Sequence, residues 1–358
     1  MSTTETTPAQ RRRNQELINN RRIIGGEQSK LMAVSPMKHA FCRTVWTQML
    51  ANTWFANEID VSKDVLCYKN VLTNGERDAY DKSLAFLSNL DGIQLYNLTE
   101  NIAQHITSPE VKMVLARQAY EEALHVDAYS TMIEAVSLDP MSLYMMFERD
   151  GVLAAKNEHI LRQSAELNLS YSPRQFALAV VANIALEGIY FYSGFLTFYA
   201  LGKRGLMMNS ADQIKFINRD EVGHLNFFIQ ILHTLFVENP EIFDAAFWVE
   251  AEAIIRSSVE LEVNWGCYII KGGVLGLSDA IMGDYIKHLA NQRWAAMLSG
   301  LSVSMLRSVP TPGELYPGVK NPVEWVSKFS SINGDETNFF EGKVKSYQVA
   351  SGGTLDWD

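Results

Sequence analysis

The stretch Glu122-Ala123-Leu124-His125-Val126-Asp127-Ala128-Tyr129, inside the run Ala116 to Val136, decides the fold. Nothing between Pro109 and Pro140 breaks a helix, and apolar residues recur there at three- and four-residue spacing. That periodicity predicts a helix. At about 100° per residue, Glu122, His125 and Tyr129 fall within roughly 60° of one another on a single stripe. A carboxylate and an imidazole one turn apart can clasp a metal ion, with a phenol one turn further along. The same spacing returns at Glu221-Val222-Gly223-His224. One Glu-x-x-His is weak evidence, because surface helices produce many by chance. Two of them, each preceded by an upstream acid in an apolar helix, form a specific pattern.

Working outward, Glu76 to Ile106 has helical periodicity behind the breaker Asn74-Gly75 and carries Asp91 near its middle. Pro140 to Leu167 reads as another helix, with a polar patch at Glu148, Arg149 and Asp150. Pro173 suits the first turn of the long apolar helix that carries Glu187. Asp212 to Phe236 carries Glu221 and His224, and Glu241 to Lys271 and Ser278 to Arg307 read as two more helices. Phe41 to Trp54 is apolar and aromatic, and Asn57 to Asp64 reads as a loop. Gly and Pro fall between long periodic stretches, not every ten residues, so no strand series is expected. The fold class is all-α, a helical bundle.

Phe176 to Leu201 is apolar enough to suggest a membrane span, but Asn183 and Glu187 lie near its middle. A carboxylate there is expensive in lipid, so a central buried helix is expected and no membrane partner. Among the 358 residues 47% are hydrophobic, enough for a sizeable core, and the formal charge of -10 argues against general affinity for nucleic acid. Cys42, Cys67 and Cys267 are few, odd in number and widely spaced, which fits reduced thiols in the cytoplasm. Residues 1–35 read as a mobile N-terminal extension without a secretory h-region, 36–328 as the bundle, and 329–358 as a flexible, Gly-rich tail.

The acids come in two sets: Asp91 precedes Glu122, and Glu187 precedes Glu221, each upstream acid on its own helix. Neighbouring helices could bring all six side chains to one level, the arrangement of dinuclear carboxylate bundles. Four carboxylates converging in an apolar interior could not all ionise without a cation. Hard oxygen donors plus imidazole suit iron or manganese and do not choose between them; two Fe or two Mn ions per chain are expected, iron slightly preferred. Phe191 and Phe195 follow Glu187 at i+4 and i+8, and Ile217 precedes Glu221 by four. They would wall the site with apolar groups. Tyr129, beside redox-active metals, could lose one electron and a proton.

With these residues in hand, the chain resembles the small (β) subunit of class I ribonucleotide reductase from about Phe41 to the C-terminus. The resemblance rests on Asp91, Glu122-x-x-His125 with Tyr129, Glu187, and Arg219-Asp220-Glu221-x-x-His224. Trp54 in Trp-Phe-Ala-Asn-Glu-Ile-Asp, Asn338-Phe339-Phe340-Glu341 and a tail containing Tyr347 add to it. It implies a ferritin-like homodimer with a dinuclear centre held by Asp91, Glu122, His125, Glu187, Glu221 and His224. Oxygen, or superoxide with manganese, would oxidise the centre and a radical would form on Tyr129. His125, Asp220, Trp54 and Tyr347 would pass its equivalent to a cysteine of the large (α) subunit, which reduces the ribonucleotide. Residues around Leu355 to Asp358 would dock that subunit. Family members with phenylalanine in place of the radical tyrosine, or lacking three of the glutamates, are disfavoured by Tyr129, Glu122, Glu187 and Glu221.

Two other readings stay open on sequence alone. A carboxylate-bridged oxidase or desaturase would act on an apolar ligand in its own core and would not need the tail. Ferritin-like storage would assemble cages holding many metals per chain.

Overall fold

Capping residues set most helix starts in the computed structural model, which describes residues 7–27 and 32–330. Helix α1 (Pro8–Asn19) opens on Thr7 with a reciprocal cap from Gln10, and α2 spans Phe41–Ala51. Helix α3 (Asn74–Tyr96) begins where the Thr73 hydroxyl accepts the Glu76 N–H at 3.2 Å and the Glu76 carboxylate accepts the Thr73 N–H at 2.9 Å. It runs on into a π stretch, Asn97–Ile102. Helix α4 (Pro109–Val136) has Ser108 as its cap and proline in its first turn. Helix α5 spans Gly151–Leu169 and α6 Pro173–Ala185. A π turn, Leu186–Tyr190, joins α6 to α7 (Tyr192–Lys203). Helices α8 (Met208–Glu238), α9 (Ala245–Ile269) and α10 (Asp279–Leu298) follow, and α11 (Trp325–Ser330) closes the described chain.

Helix α8 lacks a capping side chain of its own: Met207 precedes it with φ 49°, a left-handed geometry unusual for a non-glycine residue. Asp64 does the work instead. Its carboxylate accepts the Ser210 N–H at 2.7 Å and the Asn209 N–H at 3.3 Å, holding orphan donors of the first turn.

Helix α4 packs on α3, α7 packs on both α3 and α8, and α6 packs on α8 and α9. One continuous apolar cluster fills the space between them. The span Pro173–Lys203 is long and apolar enough to cross a membrane, yet 89% of its most apolar window is buried by neighbouring helices. Among the described residues there is no strand, only an isolated antiparallel bridge between Ile24 and Ile106.

The structure departs from the sequence reading in several places. Pro140 to Leu167 is not one helix: short pieces Pro140–Tyr144 and Met146–Arg149 stop before α5, because Asp150 accepts the Val152 and Leu153 N–H groups and starts a new helix. Ser278 to Arg307 breaks after Leu298, and Ser302 caps a separate Val303–Leu306 turn. Asn57 to Asp64 contains two 3₁₀ turns, Ala56–Glu58 and Val61–Asp64. Finally, part of the expected mobile extension is helical and part is docked. Ile23 and Ile24 are buried, the Thr107 N–H reaches the Ile23 carbonyl at 2.7 Å, and Arg21 pairs with Glu110 at 2.7 Å. The apolar pair Ile23-Ile24 within an Arg- and Asn-rich run is what anchors it.

Candidate metal centre

Helix periodicity and the packing just described bring six side chains from four helical segments together: Asp91 of α3, Glu122 and His125 of α4, Glu187 of the π turn, and Glu221 and His224 of α8. All six are fully buried. They fall into two overlapping groups able to hold a metal ion, Asp91–Glu122–His125–Glu221 and Glu122–Glu187–Glu221–His224, with donor atoms within 4.8 Å of one another in each. Glu122 and Glu221 belong to both groups. Each half-site therefore has one imidazole and one carboxylate of its own, and two glutamates lie between the halves.

The unpartnered atoms point the same way. Both Asp91 oxygens, Glu122 Oε2, His125 Nδ1, Glu187 Oε2 and Glu221 Oε1 are buried without a hydrogen bond among the described residues. His125 Nδ1 lies 3.1 Å from Glu221 Oε1, and His224 Nδ1 lies 3.2 Å from Glu122 Oε1. Leaving such groups bare in an apolar core costs several kcal/mol per ion at an order-of-magnitude level, so the donor set fits a pair of cations.

Without metal, burial and mutual charge favour proton binding at Asp91, Glu187 and the two imidazoles. Burial, then the Glu221 and Glu122 charges, push Asp91 well above the usual carboxylate range despite its contact with His125. Glu187 is raised by burial and by the same two glutamates. Burial pulls His125 and His224 down, but the surrounding carboxylates outweigh it and raise both. Metal binding would displace these protons.

Outer partners fix the imidazoles. His125 Nε2 lies 3.4 Å from Asp220 Oδ2, and that oxygen accepts the Trp54 indole N–H at 2.6 Å. The Trp54 and His125 rings are 6.2 Å apart and nearly parallel. His224 Nε2 meets Glu121 Oε2 at 2.9 Å, and Glu121 Oε1 accepts from Arg117 at 3.0 Å. A carboxylate on Nε2 favours the tautomer that leaves Nδ1 free for a metal. On Glu187, Oε1 accepts the Gln118 amide at 2.7 Å and that of Gln94 as well, while Oε2 faces the cluster.

Sequence reasoning missed Glu121, Gln118 and Gln94. Glu121 had a signal: it stands immediately before Glu122, as Asp220 stands before Glu221. Tyr129 is fully buried on α4, and its hydroxyl has no hydrogen-bond partner among the described residues. Burial, followed by Asp91, Glu221 and Glu122, raises it well above the usual phenol range, so it is neutral. Phe191 and Phe195 are buried and stacked at 5.7 Å on the segment after Glu187, and Ile217 is buried one turn before Glu221. Tyr347 and the Asn338–Glu341 motif lie outside the described residues.

A helical bundle enclosing two half-sites that share two glutamates defines a ferritin-like dinuclear carboxylate protein. A family model described as "Ribonucleotide reductase, small chain" matches residues 31–298. The chain is 35% identical over 339 residues to the ribonucleoside-diphosphate reductase subunit beta of Treponema pallidum (strain Nichols), covering 93% of this chain and 92% of that one. Among solved structures it resembles the ribonucleotide reductase R2 subunit from Clostridium botulinum, with 35% identity, a TM-score of 0.80, and coverage of 87% of this chain and 94% of that one. A dimanganese(II) protein of Streptococcus sanguinis shares the fold at 19% identity, with a TM-score of 0.65 and coverage of 79% of this chain and 93% of that one. The chain belongs to the ribonucleotide reductase small-chain family, whose role is to generate the radical used by the large subunit. That membership favours the reductase over the oxidase and storage readings.

Proposed function

We propose that Asp91, Glu122, His125, Glu187, Glu221 and His224 hold two iron or two manganese ions per chain, iron being the first choice, and that Tyr129 carries the radical. The observation that carries this reading is the pair of overlapping ligand groups sharing Glu122 and Glu221, with Tyr129 one turn beyond His125. When bound, the metal pair supplies the one-electron oxidising power, drawn from oxygen or superoxide.

The protein's own residues do the rest. Tyr129 is held neutral, so its oxidation requires a proton to leave with the electron. Asp91 belongs to the half-site on the same helix pair and is the leading carboxylate among the charges acting on that phenol. Phe191, Phe195 and Ile217 are assigned to keep water from the radical. Asp220 accepts from Trp54 and faces His125, so it can hold or move a proton while Trp54 and His125 relay the electron hole.

Tyr347 would continue the relay, and the tail 329–358 would dock the large subunit through Leu355 to Asp358. Membership of a small-chain family supports the large-subunit partner itself. A cytoplasmic homodimer is the working unit in this reading. Cys42, Cys67 and Cys267 are free thiols, consistent with a reducing compartment.

The test is Tyr129→Phe, reconstituted with iron or with manganese and assayed with the large subunit. The variant is expected to bind two ions per chain but to show no organic radical by electron paramagnetic resonance and no reductase turnover. Turnover equal to wild type would refute the radical role.

A further inference from the structure

The π turn Leu186–Tyr190 that carries Glu187, together with the restart of α7 just after it, is held by three buried charged side chains from three different helices. Arg293 of α10 donates from Nε to the Gly188 carbonyl at 3.3 Å, and its guanidinium lies 5.2 Å from the Tyr192 ring. Lys156 of α5 pairs with Glu262 of α9, and its Nζ lies 3.5 Å from the Tyr190 carbonyl. The other Glu262 oxygen accepts the Ser193 N–H at 2.9 Å. Lys156 is 2% exposed, Glu262 0% and Arg293 4%.

Local geometry explains the need. A π turn inserts one residue into the helical ladder, so carbonyl and N–H groups at its junction lose regular α partners. Helix α7 restarts at Tyr192 with no side-chain cap from Phe191. Ser193 is in its first turn, where N–H groups are orphaned, and Glu262 supplies the acceptor. Gly188 lets Arg293 approach: a Cβ there would lie 3.0 Å from Arg293 Cγ and 3.3 Å from its Nε. A buried ion pair can often be replaced by apolar residues without loss of stability. Such residues could not bond the backbone of the π turn.

We propose that Lys156, Glu262 and Arg293 are positioning residues for Glu187, gripping the π turn so that Glu187 Oε2 is presented to the metal-binding cluster while Gln118 and Gln94 hold Oε1. The proposal rests on the reading that the six-residue cluster binds two ions. No other carboxylate of the cluster sits on a π turn; Asp91, Glu122 and Glu221 ride on regular helix. The ion sensitive to the clamp is thus the one shared with His224, the half-site containing Glu187.

Manganese(II) titration of the full chain, followed by the paramagnetic resonance of the free ion, reads two stepwise affinities. The variant Lys156→Met/Glu262→Leu removes the acceptor for Ser193; Lys156→Met/Glu262→Gln keeps one while removing the charge. The first is expected to weaken one ion roughly tenfold and leave the other within about twofold, and the second, which keeps the Ser193 acceptor but loses the Lys156 contact with the Tyr190 carbonyl, to fall between the first and wild type. Gly188→Ala, whose Cβ would crowd Arg293 Cγ and Nε and also Leu225 Cδ1, is expected to weaken the same ion and supplies the second test if the first variant fails to fold. Melting temperatures that fall while both affinities stay at wild-type values, in the folded double variant or in Gly188→Ala, would reduce the three residues to structural support and overturn the proposal. A wild-type chain that takes up no pair of ions would refute the metal-centre reading itself.

Discussion

Glu121 and Asp220 each stand one position before a motif glutamate, yet each supports the imidazole of the opposite motif: Glu121 meets His224, and Asp220 faces His125. This crossing follows from helix geometry. The residue before the motif glutamate is rotated by about 100° from it, away from the metal-facing stripe and toward the helix alongside. The cross-support gives the centre an approximate internal symmetry, broken by chemistry on the outside. Asp220 leads to the oxidisable indole of Trp54, whereas Glu121 leads to Arg117, which also donates to Thr53 Oγ1 at 3.0 Å. The first route hydrogen-bonds a redox-active ring directly, whereas on the second the Tyr120 ring only lies under the Arg117 guanidinium at 4.7 Å. Glu121→Ala is expected to weaken the ion on the His224 side by roughly tenfold to a hundredfold while sparing the His125 side, as measured by metal titration; equal weakening of both ions would contradict the cross-support. The Glu-x-x-His pairs are legible in the sequence because spacing along one helix fixes which side chains share a stripe. That Glu122 and Glu221 lie between both half-sites is not legible, because it depends on how closely two helices pack.

At the scale of elements, the long periodic segments are legible and their interruptions are not. Phe176 to Leu201 reads as one apolar helix, since a single inserted residue leaves the hydrophobic pattern almost unchanged; the π turn at Glu187 appears only in the backbone. Asp150 shows the opposite error, a residue read as part of a polar patch within one helix that in fact starts a new helix. Asp64 makes a similar point across a distance: it terminates a short 3₁₀ turn yet holds the first turn of α8, the helix carrying Glu221 and His224. Asp64→Ala is expected to destabilise the fold by about 2 kcal/mol, the upper range for a lost helix cap, in chemical denaturation. No change in the denaturation midpoint would show that Met207 and the rest of the connection fix this helix start unaided.

For the whole molecule, an all-α bundle follows from the period of the apolar residues, and the packing of α3, α4, the π turn and α8 around one level turns that pattern into a site. The N-terminal segment is part of this assembly. His39 lies between Ser108 Oγ and Glu238 Oε1, both at 2.9 Å, stitching residues 32–39 to the start of α4 and the end of α8. Its role is hidden in the sequence because the residues that anchor it are scattered through a charged run. The division of labour between subunits belongs to this scale too. Deleting residues 352–358 is expected to abolish reductase turnover with the large subunit while leaving the metal content unchanged; retained turnover would remove the tail from the docking interface.

The most direct measurement is anomalous diffraction from crystals of the full chain loaded with manganese(II). Two peaks per chain are expected, one bounded by Asp91 and His125, the other by Glu187 and His224, with Glu122 and Glu221 contacting both. A single peak, or peaks away from these six side chains, would contradict the shared-glutamate centre on which the proposed chemistry depends.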